Sequence, residues 1–188
     1  ADDEVYVSCY KGPFLLLQDA DTVLKSLNNV YNADSNNTYD FSYMFTEVEP
    51  LIKDYDLKYY NQETIIGGKN LGVSHYPQFN SPDEIGDALL NLGFNMVSLA
   101  NNHTLDMNEQ GVLNSVNFWR NQTGVVVSGQ SDSFEDRNNI QIHEKNGIKY
   151  AFIAYTDMTN GLSVPSGKDY LVNVYSDEAG YVEKLDAL

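Results

Sequence analysis

The residues best suited to chemistry lie in one stretch, Asn101-Asn102-His103-Thr104-Leu105-Asp106. An amide oxygen can ligate a hard or borderline cation, which is the role open to Asn102. An imidazole can move a proton or pair with an anionic oxygen, and His103 has both roles open to it. Asp106, three residues on, can orient that imidazole through a carboxylate–imidazole contact. It can also cap the helix that follows, with Glu109 as the capping-box partner. Upstream, Asn61 and Glu63 offer an amide oxygen and a carboxylate after a short strand. The same residue types also serve simply to close a strand-to-helix turn or to dress a solvated loop.

The elements that would position these groups are readable from the hydrophobic pattern. Residues 93–100 carry Phe94, Met96, Val97, Leu99 and Ala100, apolar enough for a buried strand bounded by Gly93. The switch to polar residues falls at its carboxyl end, where ligands sit in open α/β sheets. A helix is predicted over about 107–121, with Val112, Val116, Phe118 and Trp119 as its apolar positions. Residues 57–60 read as a short strand leading into Asn61-Gln62-Glu63-Thr64. Residues 67–80 form a long loop, and long loops in compact domains are usually functional or disordered. That loop contains His75, a pocket-lining candidate or a solvated loop residue, and ends on Asn80. Ser81, Pro82 and Glu84 then read as N-cap, first helical residue and capping-box partner of a helix burying Ile85, Leu89, Leu90 and Leu92.

Further strands are expected at 4–10, which contains the lone Cys9, and at 124–129. A β-hairpin is expected over 139–155, turned by Asn146-Gly147, and a short strand at 170–175. Helices are expected around Val23 to Val30, over 41–55 with a kink or break at Pro50, and from Ser176 onward. Strands alternating with helices predict an α/β fold with a mainly parallel sheet and one β-hairpin. With no internal repeat and no linker-like boundary, residues 1–188 read as a single domain, incomplete at its carboxyl end.

Composition narrows the partners. Eleven basic against 27 acidic side chains give a net charge of −16, which argues against nucleic acid or an anionic membrane surface. The same charge repels a polyanion unless a cation or a basic patch intervenes. One cysteine excludes an internal disulfide and fits no zinc framework. No apolar run approaches the ~20 residues of a membrane helix, so no transmembrane segment is expected.

Ser98-Leu99-Ala100-Asn101-Asn102-His103-Thr104-Leu105-Asp106 resembles the signature of the CapA family, bacterial proteins linked to poly-γ-glutamate capsule synthesis. Tyr39-Asp40-Phe41-Ser42-Tyr43-Met44-Phe45, Asn61-Gln62-Glu63-Thr64 and Tyr76-Pro77-Gln78-Phe79-Asn80-Ser81-Pro82 resemble further family blocks, in the family's order. The resemblance runs from about residue 12 to about residue 173. The family in turn resembles the calcineurin-like metallophosphoesterases, layered α/β sandwiches whose Asn-His pair combines a metal ligand with a catalytic histidine. What this implies here is that Glu63 and Asn102 are metal ligands and that His103 and Asp106 are catalytic. Strand ends and loops at the same sheet edge predict a pocket lined by Asn61, His75, Asn80 and Asn101, and the resemblance implies a place at the bacterial cell surface, anchored by residues outside this chain.

The chain also departs from that pattern. The family's Gly-Asp, followed four residues later by His, aligns with Gly12 to Leu17. Pro13 stands where the Asp belongs and Leu17 where the His belongs, and neither side chain has an oxygen or nitrogen to give a cation. A His-rich block expected after one more helix is not within the 188 residues, and His75 and His143 do not replace it. Two-metal hydrolysis needs several ligands from separate strand ends. The expectation is therefore no dinuclear centre and at most one divalent cation, manganese or similar, weakly held. On this reading the protein is a binding or scaffold member with a degenerate metal site. Its partner would be an anionic polymer, an envelope glycan or another capsule-assembly protein. The alternatives are a metal-dependent phosphoesterase-like hydrolase using Glu63, Asn102 and His103, and an adhesive surface domain with no small-molecule site.

Overall fold

The computed structural model describes residues 38–175. The strand expected at 4–10, the helix around Val23 to Val30 and the helix from Ser176 lie outside the described residues, as do Cys9, Pro13 and Leu17. A 3-10 turn, Ser42–Phe45, is followed by a one-turn helix α1, Glu49–Ile52. Pro50 sits in the first turn of α1, where its missing N–H has no partner to lose, so the stretch over 41–55 breaks into two pieces.

The core is a three-stranded parallel sheet of β1 (Tyr59–Asn61), β2 (Met96–Ser98) and β3 (Val126–Ser128), in that order. Helix α2 (Asp83–Asn91) joins β1 to β2 and helix α3 (Asn108–Arg120) joins β2 to β3, since parallel neighbours require crossovers. The register pairs Asn61 with Ser98 and Ser98 with Ser128. Being central, β2 is hydrogen-bonded to a parallel neighbour on each side. Val97 and Leu99 are fully buried.

Two apolar clusters flank this sheet, and α3 serves both. Val112 and Val116 pack with Ile65, Ala100, Leu105 and Leu171. Phe118 and Trp119 pack with Ile66, Val97 and Leu99. Gly86 lets α2 approach this second cluster, for a Cβ there would lie 2.6 Å from the Phe118 ring.

Beyond the sheet, α4 (Phe134–Asn138) is capped by the Ser133 hydroxyl, which accepts from Asp136 N at 3.1 Å. Strands β4 (His143–Lys145) and β5 (Ile148–Tyr150) form the expected hairpin, with Asn146 and Gly147 at φ of 52° and 78°. Residues 170–175 do not form a continuous strand. A 3-10 turn, Asp169–Leu171, leads into isolated bridges from Val172 to Gln130 and from Val174 to Thr156. The start of α2 also differs from expectation. Its N-cap is Pro82, while the Ser81 hydroxyl lies 2.7 Å from Thr64 Oγ1 and Glu84 pairs with Lys69 at 2.6 Å. Among the described residues, no helix is long and apolar enough to cross a membrane.

Candidate functional site at the carboxyl edge of the sheet

Because β1, β2 and β3 are parallel, their carboxyl ends share one edge. At the end of β2 the chain folds back on itself through a set of buried polar contacts. The Thr104 hydroxyl donates to the Leu99 carbonyl at 2.8 Å and accepts from Asn101 N at 2.9 Å. The Asn101 amide oxygen accepts from His103 N at 2.9 Å, and its amide nitrogen donates to the Gln62 carbonyl at 2.8 Å. Asn101 thus fixes the turn and ties it to the end of β1. Gln130, just past β3, donates to the Leu99 carbonyl at 3.0 Å and adds the third strand end.

This framework presents His103. Its Nδ1 lies 2.7 Å from Asp106 Oδ2, and the same oxygen accepts the Phe79 backbone N–H at 2.7 Å. The Phe79 ring meets the imidazole edge-on, with centroids 4.7 Å apart at 78°. The Asn160 amide nitrogen sits 3.3 Å from Nδ1 and 3.5 Å from Nε2, and Asn102 donates to Asn160 Oδ1 at 3.2 Å. The Asp106 side chain is 1% exposed and that of His103 is 12% exposed. A buried carboxylate requires compensation, and two donors on one oxygen supply it. With Nδ1–H given to Asp106, the neutral imidazole offers Nε2 as an acceptor and the cation offers it as a donor.

Of the two roles open to Asp106, the structure has the orienting one. Helix α3 starts after Met107 with no side-chain cap, because the Asp106 carboxylate is turned back to the imidazole and to Phe79. Glu109 pairs instead with Lys168.

The remaining candidates divide by what their side chains already do. Asn61 accepts from the Ser98 hydroxyl at 2.8 Å, between β1 and β2. Asn80 is buried and closes its loop, accepting from Gly67 N at 2.9 Å and donating to the carbonyls of Gly68 and Gly72. His75 is exposed on the same loop, with Nδ1 3.1 Å from the Tyr76 carbonyl. Glu63 is half-buried, two residues past β1 at the sheet edge. The structure therefore brings together Asn102, His103 and Asp106 over Asn101, with Phe79 and Asn160 as partners that sequence reasoning passed over. Phe79 falls inside a motif block but is apolar. Asn160 heads an Asn-Gly pair that signals only a turn.

Among the described residues, no three His, Cys, Asp or Glu side chains converge as a metal's ligands would. Around His103 the groups left for a cation are Nε2 and the Asn102 amide oxygen, both neutral donors. Among the described residues alone, that donor set is too small for a two-metal centre.

Comparison with known proteins agrees with the motif blocks. The family described as "Bacterial capsule synthesis protein PGA_cap" matches residues 18–186. "Capsule biosynthesis protein CapA" of Bacillus anthracis is 26% identical over 131 residues, which cover 64% of this chain. Those residues cover 30% of that relative's own length.

Proposed function

The chain belongs to the bacterial capsule synthesis protein family, and from that premise we propose a binding or scaffold role in capsule assembly at the cell envelope. The observation that carries this reading is the immobilised imidazole of His103, held by Asp106, Phe79 and Asn160, with Nε2 meeting only the Asn160 amide nitrogen, at 3.5 Å. Such a group recognises a ligand's hydroxyl or carboxylate by a single directed hydrogen bond, and the Asn102 and Asn160 amides stand beside it with both donors and acceptors. The ligand is an envelope polymer, and Asn102 and His103, with Glu63 from the end of the neighbouring strand, would hold at most one divalent cation, weakly. Pro13 and Leu17, standing where the resemblance implies a metal-binding Asp and His, favour binding over hydrolysis.

A second reading, a phosphoesterase-like hydrolase, has one observation in its favour. The carboxylate–imidazole pair at 2.7 Å is the arrangement a general acid or base requires.

Both are tested by titrating nitrogen-15-labelled protein with oligo-γ-glutamate and with neutral envelope oligosaccharides. The binding reading expects shifts at Asn102, His103 and Asn160 that vanish in His103→Ala. Shifts confined to other surfaces would end it. Phosphodiester turnover lost in the same variant would establish the hydrolase.

A further inference from the structure

The loop over 74–80 carries an exposed aromatic side chain beside the site, and its build is rigid. Ser74 and Asn80 form an antiparallel bridge, and the Ser74 hydroxyl donates to the Gln78 carbonyl at 2.8 Å. Asn80 anchors one end with three side-chain hydrogen bonds, and the Phe79 N–H is fixed to Asp106. From this frame Tyr76 projects with 77% of its surface exposed. Its ring meets Phe79 at 6.5 Å and 65°, and Phe79 in turn meets His103 at 4.7 Å. The three rings run in file from solvent to the site.

Charge decides what such a face suits. The described basic side chains are committed or lie on other elements. Lys69, Lys168, Arg120 and Lys145 pair with Glu84, Glu109, Asp132 and Asp56. Arg137 donates to the Asp169 carbonyl, Lys53 and Lys58 precede β1 at the opposite edge of the sheet, and Lys149 lies in β5. A polyanion approaching His103 would meet a chain of net charge −16 with no basic patch among the described residues at this edge. A neutral ring bearing hydroxyls meets no such repulsion. Its apolar face matches a rigid Tyr ring, which gives contact area at low entropic cost. Its hydroxyls match the imidazole and the amides of Asn102 and Asn160.

We infer that Tyr76 is the stacking face of a saccharide subsite whose polar end is His103, Asn102 and Asn160, so that the ligand is a neutral glycan and not an anionic polypeptide. The inference rests on the binding reading above and names its ligand class.

The test is calorimetric titration of the chain, and of Tyr76→Ala, Tyr76→Phe and His103→Ala, with N-acetylglucosamine and glucose tetrasaccharides and with oligo-γ-glutamate. Tyr76 is exposed, so both of its variants fold. A tetrasaccharide is expected to bind, with affinity about tenfold weaker in Tyr76→Ala and unchanged in Tyr76→Phe. Saccharide binding indifferent to Tyr76→Ala overturns the inference. Oligo-γ-glutamate binding that depends on His103, with no saccharide bound, overturns it while leaving the binding role in place. No binding of either class overturns both.

Discussion

Asp106 Oδ2 lies 2.7 Å from His103 Nδ1, and it accepts the Phe79 backbone N–H at the same distance. One oxygen thus joins the loop over 74–80 to the turn after β2. The orientation of the imidazole and the seating of the Tyr76 loop are consequently one structural fact.

Asp106→Ala breaks both bonds at once and leaves two donors without their partner. Stability is expected to fall by about 1–3 kcal/mol, read from urea unfolding. The neutral His103 ring also loses its reason to keep the proton on Nδ1, so long-range nitrogen-15 correlation spectra should change from one tautomer to a mixture. A single unchanged tautomer would show that Asp106 does not orient the ring.

Asn101→Ala removes the bridge between the Gln62 carbonyl, just past β1, and the His103 N–H in the turn after β2. The expected loss is again about 1–3 kcal/mol, because a buried carbonyl is left unpaired. Asn101→Asp keeps the acceptor for His103 N but not the donor for Gln62. Hydrogen exchange at His103 N should therefore be protected in Asn101→Asp and not in Asn101→Ala.

How much of this was legible in the sequence depended on how local the signal is. The central strand around Val97 and Leu99, helix α3 and the Asn146-Gly147 hairpin follow from period and turn chemistry, and the structure has them where the pattern puts them. Ser81 as a helix cap failed because a tertiary partner, Thr64, competes for its hydroxyl. The same competition decided Asp106, which local rules allow as a cap and which Phe79, 27 residues away, turns elsewhere. Asn160 reaches His103 across 57 residues, and no local pattern encodes that contact. Asn80 has a polar side chain fully absorbed by its own loop, a role that residue type alone does not distinguish from ligand binding.

Gly86→Ala gains helix propensity of about 1 kcal/mol but drives a Cβ to 2.6 Å from the Phe118 ring and 2.9 Å from Ile66. Overpacking of this kind costs about 1–3 kcal/mol, so the net expectation is destabilisation. A higher melting temperature in this variant would mean that α2 can shift outward at little cost.

Asp87 lies one helical turn from Asp83, and its carboxyl pKa is raised above the ordinary 3.8 first by desolvation, then by Asp83 and Glu84. The folded state therefore holds this proton more tightly than the unfolded chain. Its contribution is most favourable below pH 3.8 and is lost as the pH rises through the folded value. Asp87→Asn should consequently be more stable than the parent at pH 7, by roughly 0.2–0.5 kcal/mol as for like-charge pairs on a helix. The advantage should disappear at pH 3. An Asn variant no more stable at neutral pH would show that the repulsion is fully screened.

The claim that this edge binds rather than hydrolyses is tested most directly by manganese calorimetry combined with turnover of an aryl phosphodiester. Two-metal hydrolysis depends on paired cations that generate hydroxide and neutralise developing charge. On the binding reading, Glu63, Asn102 and His103 are the only ligands offered, too few for a pair. The expected result is at most one weakly bound ion and no turnover above background. Two tightly bound manganese ions, with turnover abolished in His103→Ala, would contradict it.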